Sequence, residues 1–220
     1  MTTKTNNNQL NTLFGLTAII YLISLSFSPY SLQFSLKALP ILLLLVAVQR
    51  SSRCKDKTLL TLALIASGAG DVLLALPISN SFILGLGAFL IAQLVYTVSF
   101  IRARVNKPNK VRKIVAVLVL AFAIAMAFYI LPDTGELMVP VTVYLFVITC
   151  MGLCALLSGI HLWVAVGALS FISSDAMLAL SIFKTPLPFS DQLVMLSYYL
   201  AQFFIINGML KQQDDRTAIS

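Results

Sequence analysis

The sequence predicts an all-α, polytopic membrane protein with eight transmembrane helices, and three observations carry that prediction. Of its 220 residues, 59% are apolar and 10% charged, against about 45–50% and about 25% in a soluble protein. The apolar residues gather into eight runs, each close to the roughly 20 residues that one helical bilayer crossing needs. Basic residues collect between alternate runs, as they do in chains that obey membrane topology rules. A compact domain of this length cannot bury so much apolar surface, so the excess faces lipid.

The first run, Leu10–Phe27, follows a polar tail bearing Lys4. Its apolar stretch is longer than a signal peptide requires and lacks an A-x-A site, so it is read as span 1. Span 2, Leu32–Val48, carries Lys37 and Pro40; span 3, Leu59–Leu76, carries Asp71; span 4, Phe82–Ile101, carries Gln93 and Tyr96. Spans 5 and 6 are Ile114–Leu131 and Leu137–Leu157. Span 7, Leu162–Phe183, carries Asp175, and span 8, Leu193–Leu210, carries Tyr198, Tyr199 and Gln202. Together they form a single integral membrane domain over residues 1–220.

Charge sets the direction. With the N-terminus cytoplasmic, the inner segments hold Lys4, then Arg50, Arg53, Lys55 and Lys57, then Arg102, Arg104, Lys107, Lys110, Arg112 and Lys113, and last Lys211 and Arg216. These are thirteen of the fifteen basic residues, the asymmetry expected of cytoplasmic loops. The outer loops keep Lys184 among Asp133, Glu136 and Asp191, and Lys37 lies within a span. Both termini are therefore expected in the cytoplasm, and the compact loops favour a bacterial inner membrane.

The same counts exclude other classes. Three cysteines without C-x-x-C spacing suggest neither a disulfide framework nor a zinc site. Cys150 and Cys154 share a helix face and read as small packed hydrophobes. One histidine, His161, cannot build a multi-histidine metal cage, and at the inner end of span 7 it reads as an interface residue. No metal or cofactor is expected. The net charge of +7 follows topology rather than nucleic-acid binding, and the basic run Arg102–Lys113 reads as a topogenic loop on anionic lipid. The bilayer is the expected partner, and no feature specifies an oligomer.

An internal repeat is visible. Asp71-Val72-Leu73-Leu74-Ala75-Leu76 matches Asp175-Ala176-Met177-Leu178-Ala179-Leu180 at four of six positions, and Ala92-Gln93 is echoed by Ala201-Gln202. A 4+4 repeat of this kind is parallel, about an axis along the membrane normal. It would make Asp71 and Asp175 symmetry mates. Depth points the same way: at a 1.5 Å rise per residue, Asp71 lies roughly 7–8 Å inside the outer boundary, with Asp175 at similar or slightly greater depth. Lys37, Tyr198, Tyr199 and Gln202 fall near the same level, while Gln93 and Tyr96 lie deeper and could line a cavity floor.

An acid within a span costs about 2.5–3.5 kcal/mol to insert, so both aspartates are candidate functional residues by default. The competing structural reading has each carboxyl tying helices together through Lys37 or through Ser67, Ser173 and Ser174. Lys37, near a helix end, could instead snorkel to the headgroups. Of Tyr198 and Tyr199, at least one is expected in the interfacial aromatic belt.

Two carboxyls buried close together cannot both ionise, so the pair holds one proton and offers an acid and a base at once. That chemistry suits acid-catalysed hydrolysis through a cationic transition state, a proton-coupled transporter, or an intramembrane aspartyl protease. The protease is tested by Gly68-Ala69-Gly70-Asp71, which fits a G-x-G-D motif; no spanning aspartate precedes it and no P-A-L motif follows. For a transporter, broken helices with mid-span Gly/Pro pairs are not evident.

Five motifs in register resemble the YhhN family of eight-helix membrane proteins, which includes lysoplasmalogenases. They are Lys37-x-x-Pro40, Gly70-Asp71-x-x-Leu74, Gly87-Ala88-Phe89 through Tyr96, Gly167-Ala168 followed by Ser174-Asp175-x-x-Leu178-Ala179, and Tyr198-Tyr199-Leu200-Ala201-Gln202. They run from Lys37 to Gln202. Two positions depart from the pattern: Lys37-Ala38 stands where the family commonly has Lys-Pro, and Gln93 where it commonly has a histidine. The resemblance implies metal-free hydrolysis of the vinyl ether bond of a lysoplasmalogen, a lysophospholipid substrate. For that reaction the chemistry of the residues makes Asp71 and Asp175 the expected catalytic acid and base, and Lys37, Tyr198, Tyr199, Gln202 and Gln93 the candidate substrate contacts, Gln93 without a catalytic role.

Overall fold

The structure, a computed structural model, describes residues 2–28, 30, 33–51, 54, 56–105, 107–185 and 188–219, and among these the side chains of residues 8–212. Eight long helices follow in order: α1 (Thr2–Ser24), α2 (Gln33–Arg50), α3 (Lys57–Ala75), α4 (Ser81–Arg102), α5 (Lys110–Ile130), α6 (Met138–Leu157), α7 (Leu162–Phe183) and α8 (Ser190–Ile219). Short 3-10 turns at Leu25–Phe27, Leu131–Asp133 and Gly135–Leu137 extend α1 and bridge α5 to α6. No strand occurs among the described residues. Each of the eight predicted spans is a helix long and apolar enough to cross a membrane, and the chain is a multi-pass integral membrane protein. Its outward faces are apolar: Phe128 is 80% exposed, Val139 71% and Phe146 69%, a surface that lipid covers at no cost and water would not.

The helix ends run past the apolar runs for local reasons. α5 begins at Lys110 rather than Ile114 because Asn109 caps it, its Oδ1 accepting from the Arg112 N–H at 2.9 Å. α8 continues to Ile219, since lysine, glutamine and arginine beyond Leu210 are good helix formers. The expected start of span 2 at Leu32, and Arg53, Lys55 and the side chains of Lys4 and Arg216 used in the charge count, lie outside the described residues.

By packing, the chain falls into two compact units, Met1–Val95 with Leu210–Ser220, and Tyr96–Met209. In the first unit α2 packs against both α1 and α3. The end of α2 and the start of α3 are tied by Lys57, whose Nζ donates to the Gln49 carbonyl at 2.8 Å, and by Gln49 Nε2 donating to Thr61 Oγ1 at 2.7 Å. α3 and α4 approach closely at two glycines. A Cβ on Gly70 would stand 2.7 Å from the Phe89 ring, and one on Gly85 2.6 Å from Leu74.

In the second unit α5, α6 and α7 pack in sequence around Ala116, Val119, Leu156 and Ala165. Arg112 Nη2 donates to the Ile160 carbonyl at 2.7 Å and the Val105 N–H to the Ser158 carbonyl at 3.2 Å. The basic loop expected to lie on lipid thus also holds the α6–α7 turn. His161, expected as an interface residue, caps α7: its Nδ1 accepts from the Trp163 N–H at 3.2 Å. At the opposite end of α7, Lys184 pairs with Asp133 and stands 4.4 Å from the Tyr129 ring centroid.

α7 and α8 meet at Gly167, where a Cβ would lie 2.7 Å from the Ile205 amide nitrogen and 2.8 Å from the Ala201 carbonyl oxygen. Backbone atoms of a packed helix cannot swing aside, so overpacking here costs about 1–3 kcal/mol. Gly167→Ala should therefore lower the melting temperature of the detergent-purified protein. Gly87→Ala, where a Cβ meets nothing within 4 Å, should leave it unchanged or slightly raised.

Candidate functional site

Asp71 sits one turn beyond Ser67 on α3, and both are buried, Asp71 at 1% exposure. Its Oδ1 lies 3.4 Å from Lys37 Nζ. The hairpin explains the meeting. Lys37 stands nearly as far before Arg50, the end of α2, as Asp71 stands after Lys57, the start of α3. Antiparallel helices joined by a tight turn bring such residues to one height. Gly70, with the Phe89 ring against it, lets α4 close over the backbone just before the acid. Pro40, one turn beyond Lys37, is buried inside α2; having no N–H, it cannot donate the helical bond to the Leu36 carbonyl. Lys37, whose side chain is 12% exposed, is thus turned inward to the carboxyl rather than snorkelling to the headgroups.

Asp175 sits on α7 in the second unit, half-buried, and the Tyr144 hydroxyl of α6 donates to its Oδ2. The geometry repeats that of the first hairpin: Tyr144 stands as far before Leu157 as Asp175 stands after Leu162. Tyr144 is 9% exposed, so its ring is wedged among helices. The serines expected to serve Asp175 go elsewhere. Ser173 Oγ donates to the Leu169 carbonyl at 3.0 Å, and Ser174 Oγ to the Val194 carbonyl at 2.8 Å, which ties α7 to α8.

Tyr144 escaped the sequence reading. It carries no charge and belongs to no repeated motif. Counting residues outward from the α6–α7 turn would have found it, since only height above that turn connects it to Asp175.

Also in the second unit, Tyr96 Oη donates to Gln202 Oε1 at 2.6 Å, both residues fully enclosed. Tyr96 stacks on Phe100 with ring centroids 5.9 Å apart. Tyr198 meets Phe171 edge-on at 5.7 Å and Tyr199 at 5.6 Å. Both tyrosines are buried, at 3% and 2% exposure. Both rings are packed among helices, where the belt reading had at least one of them facing the interface. Gln93 is fully buried on the first-unit part of α4. Among the described residues no cluster of three or more His, Cys, Asp and Glu side chains is spaced to hold a metal ion.

The arrangement within each unit is chemically specific. An ammonium offers a carboxyl an opposite charge as well as hydrogen bonds, and a phenol offers it one oriented hydrogen bond. Two acidic groups, each with a donor supplied by the preceding helix, are equipped to hold and pass protons.

The family model described as the YhhN family matches residues 32–209. Proteins named lysoplasmalogenase from Mycobacterium bovis and Mycobacterium tuberculosis are 34% identical to the chain over 157 residues, which is 69% of this chain and 60% of each of theirs. The chain thus spans about 60% of the length of those relatives. A Bos taurus protein named lysoplasmalogenase TMEM86A is 29% identical over 167 residues, 71% of this chain and 67% of its own. No solved structure matches.

Removing one member of a buried ion pair costs about 3–5 kcal/mol, because the other charge is stranded, while replacing both is close to neutral. Lys37→Met should markedly lower the melting temperature in detergent, and adding Asp71→Asn to it should recover most of the loss. Additive losses in the double variant would mean that the two groups are not energetically coupled.

Proposed function

The chain belongs to the YhhN family, and from that premise we propose that it is a membrane-embedded lysoplasmalogenase. In this reading it hydrolyses the vinyl ether bond of a lysoplasmalogen to a fatty aldehyde and glycerophospho-ethanolamine or -choline. Asp71 and Asp175 are the acid and base of the reaction. The membrane is a bacterial inner membrane, with both termini cytoplasmic. What carries the reading to this activity is the name that the bacterial and bovine relatives share.

The chemistry supports it. A vinyl ether accepts a proton at its β-carbon: the π electrons form the new C–H bond and leave an oxocarbenium ion on the ether side. Water adds to that cation, loses a proton, and gives a hemiacetal, which collapses to aldehyde and alcohol. The protein must supply one proton, stabilise a cation, and take one proton from water. One protonated and one ionised carboxyl do all three without a metal or nucleotide.

Several observations support the assignment of parts. The Lys37 ammonium lies 3.4 Å from the Asp71 carboxyl. The matching Asp-x-x-Leu-Ala-Leu segments of the sequence are the grounds for giving both acids a part in the reaction. Tyr198, Tyr199 and Gln202 orient the glycerol part or the water, with Gln93 as a further contact. The apolar faces accommodate the alkenyl chain.

The test is aldehyde release from lysoplasmenyl-ethanolamine by the purified, detergent-solubilised protein, with and without a chelator. Wild-type protein should release aldehyde at an unchanged rate in chelator. Asp71→Asn and Asp175→Asn should each lose activity by about 100-fold or more, since each removes a proton-transfer group, while eluting as folded protein. Full activity in both variants would end the two-carboxylate mechanism. No release by folded wild-type protein would end the assignment of substrate and turn attention to proton-coupled transport.

A further inference from the structure

Tyr144 is the residue at the Asp175 carboxyl that nothing in the sequence motifs accounts for. A tyrosine in the outer part of a spanning helix ordinarily sends its hydroxyl toward the headgroups. Here the ring is buried at 9% exposure, and the hydroxyl is turned across the α6–α7 hairpin onto Asp175 Oδ2. α6 and α7 are held at their shared turn by the Arg112 contact to the Ile160 carbonyl and by the His161 cap. Ser174, next to Asp175, is anchored to the Val194 carbonyl of α8. The helix carrying the acid and the helix carrying the phenol are therefore both fixed.

We propose that Tyr144 is the positioning residue of Asp175, and that through it Asp175 becomes the proton donor of the reaction. This inference rests on the lysoplasmalogenase reading. As Asp175 protonates the β-carbon, its O–H bond breaks and the carboxyl acquires a full negative charge. A hydrogen bond to an ionised acceptor is roughly twice as strong as one to a neutral acceptor. The Tyr144 bond therefore tightens as the transition state forms, which accelerates the chemical step rather than substrate binding. The same donor would weaken a carboxylate acting as base. The proton that the added water loses leaves the site, and a proton returned to Asp175 closes the cycle.

Tyr144→Phe removes one oxygen and keeps the ring that fills the hairpin. Two measurements on this variant decide the matter. The first is steady-state aldehyde release: kcat should fall by about 10-fold to 100-fold with KM within about twofold, as expected for a donor that acts on the transition state. The same change in an Asp175→Asn background should cost nothing further. A merely structural tyrosine would lower the active fraction in both backgrounds alike. The second needs no turnover. The infrared carboxyl band of the folded protein that Asp175→Asn removes should shift in Tyr144→Phe. An unmoved band, or wild-type kcat in Tyr144→Phe, would overturn the inference while leaving the function intact. A shifted band in a protein that releases no aldehyde would keep the pairing and defeat the function.

Discussion

A carboxyl inside a lipid-spanning helix is tolerable only if a donor reaches it, and the hairpins of this protein are built around that requirement. In the first unit the donor is an ammonium, in the second a phenol. In both cases it comes from the helix immediately before the acid, at the same height above a short turn. The ion pair sets the stricter condition. A lipid interior screens charge poorly, so each member of the pair depends on the other. The contacts that fix the register of α2 against α3, with Gln49, Lys57 and Thr61 hydrogen-bonded between them, are therefore part of what sustains the ion pair.

The glycines serve the same end. Gly70 precedes Asp71 directly and receives the Phe89 ring where a Cβ could not fit, and Gly167 takes the backbone of α8 against α7. Helix association in lipid cannot draw on the hydrophobic effect and depends on close van der Waals approach and interhelical hydrogen bonds. Ser174 to the Val194 carbonyl and Tyr96 to Gln202 are bonds of that second kind. Some polar residues of the apolar spans thus hold helices together, and others reach an acid.

That division was only partly legible beforehand. Asp71 and Asp175 stood out because acids in long apolar runs are expensive, and Lys37 because it fell at the right depth. Gln202 stood out as well, yet in the fold its carbonyl oxygen is taken by Tyr96. Ser173 and Ser174 were reasonable partners for Asp175 by proximity in sequence. A helical serine has its own carbonyl three or four residues back within reach, and Ser173 uses it. Tyr198 and Tyr199 looked interfacial by distance from the helix end, and packing enclosed them.

The sequence by itself determined the class, the number of helices and most of their limits to within a few residues, because a bilayer imposes one length and one composition on every span; α1 begins at Thr2 and α8 ends at Ile219, well outside their apolar runs. It also singled out the acids, because charge in lipid has a cost that no neighbour in sequence hides. Only the tertiary structure decided which donor each acid receives. Tyr144 and Asp175 lie on different helices and share no motif. What joins them is register across a turn, and register is a property of two helices packed together, held by the Arg112 and His161 contacts at the turn, that neither helix carries alone.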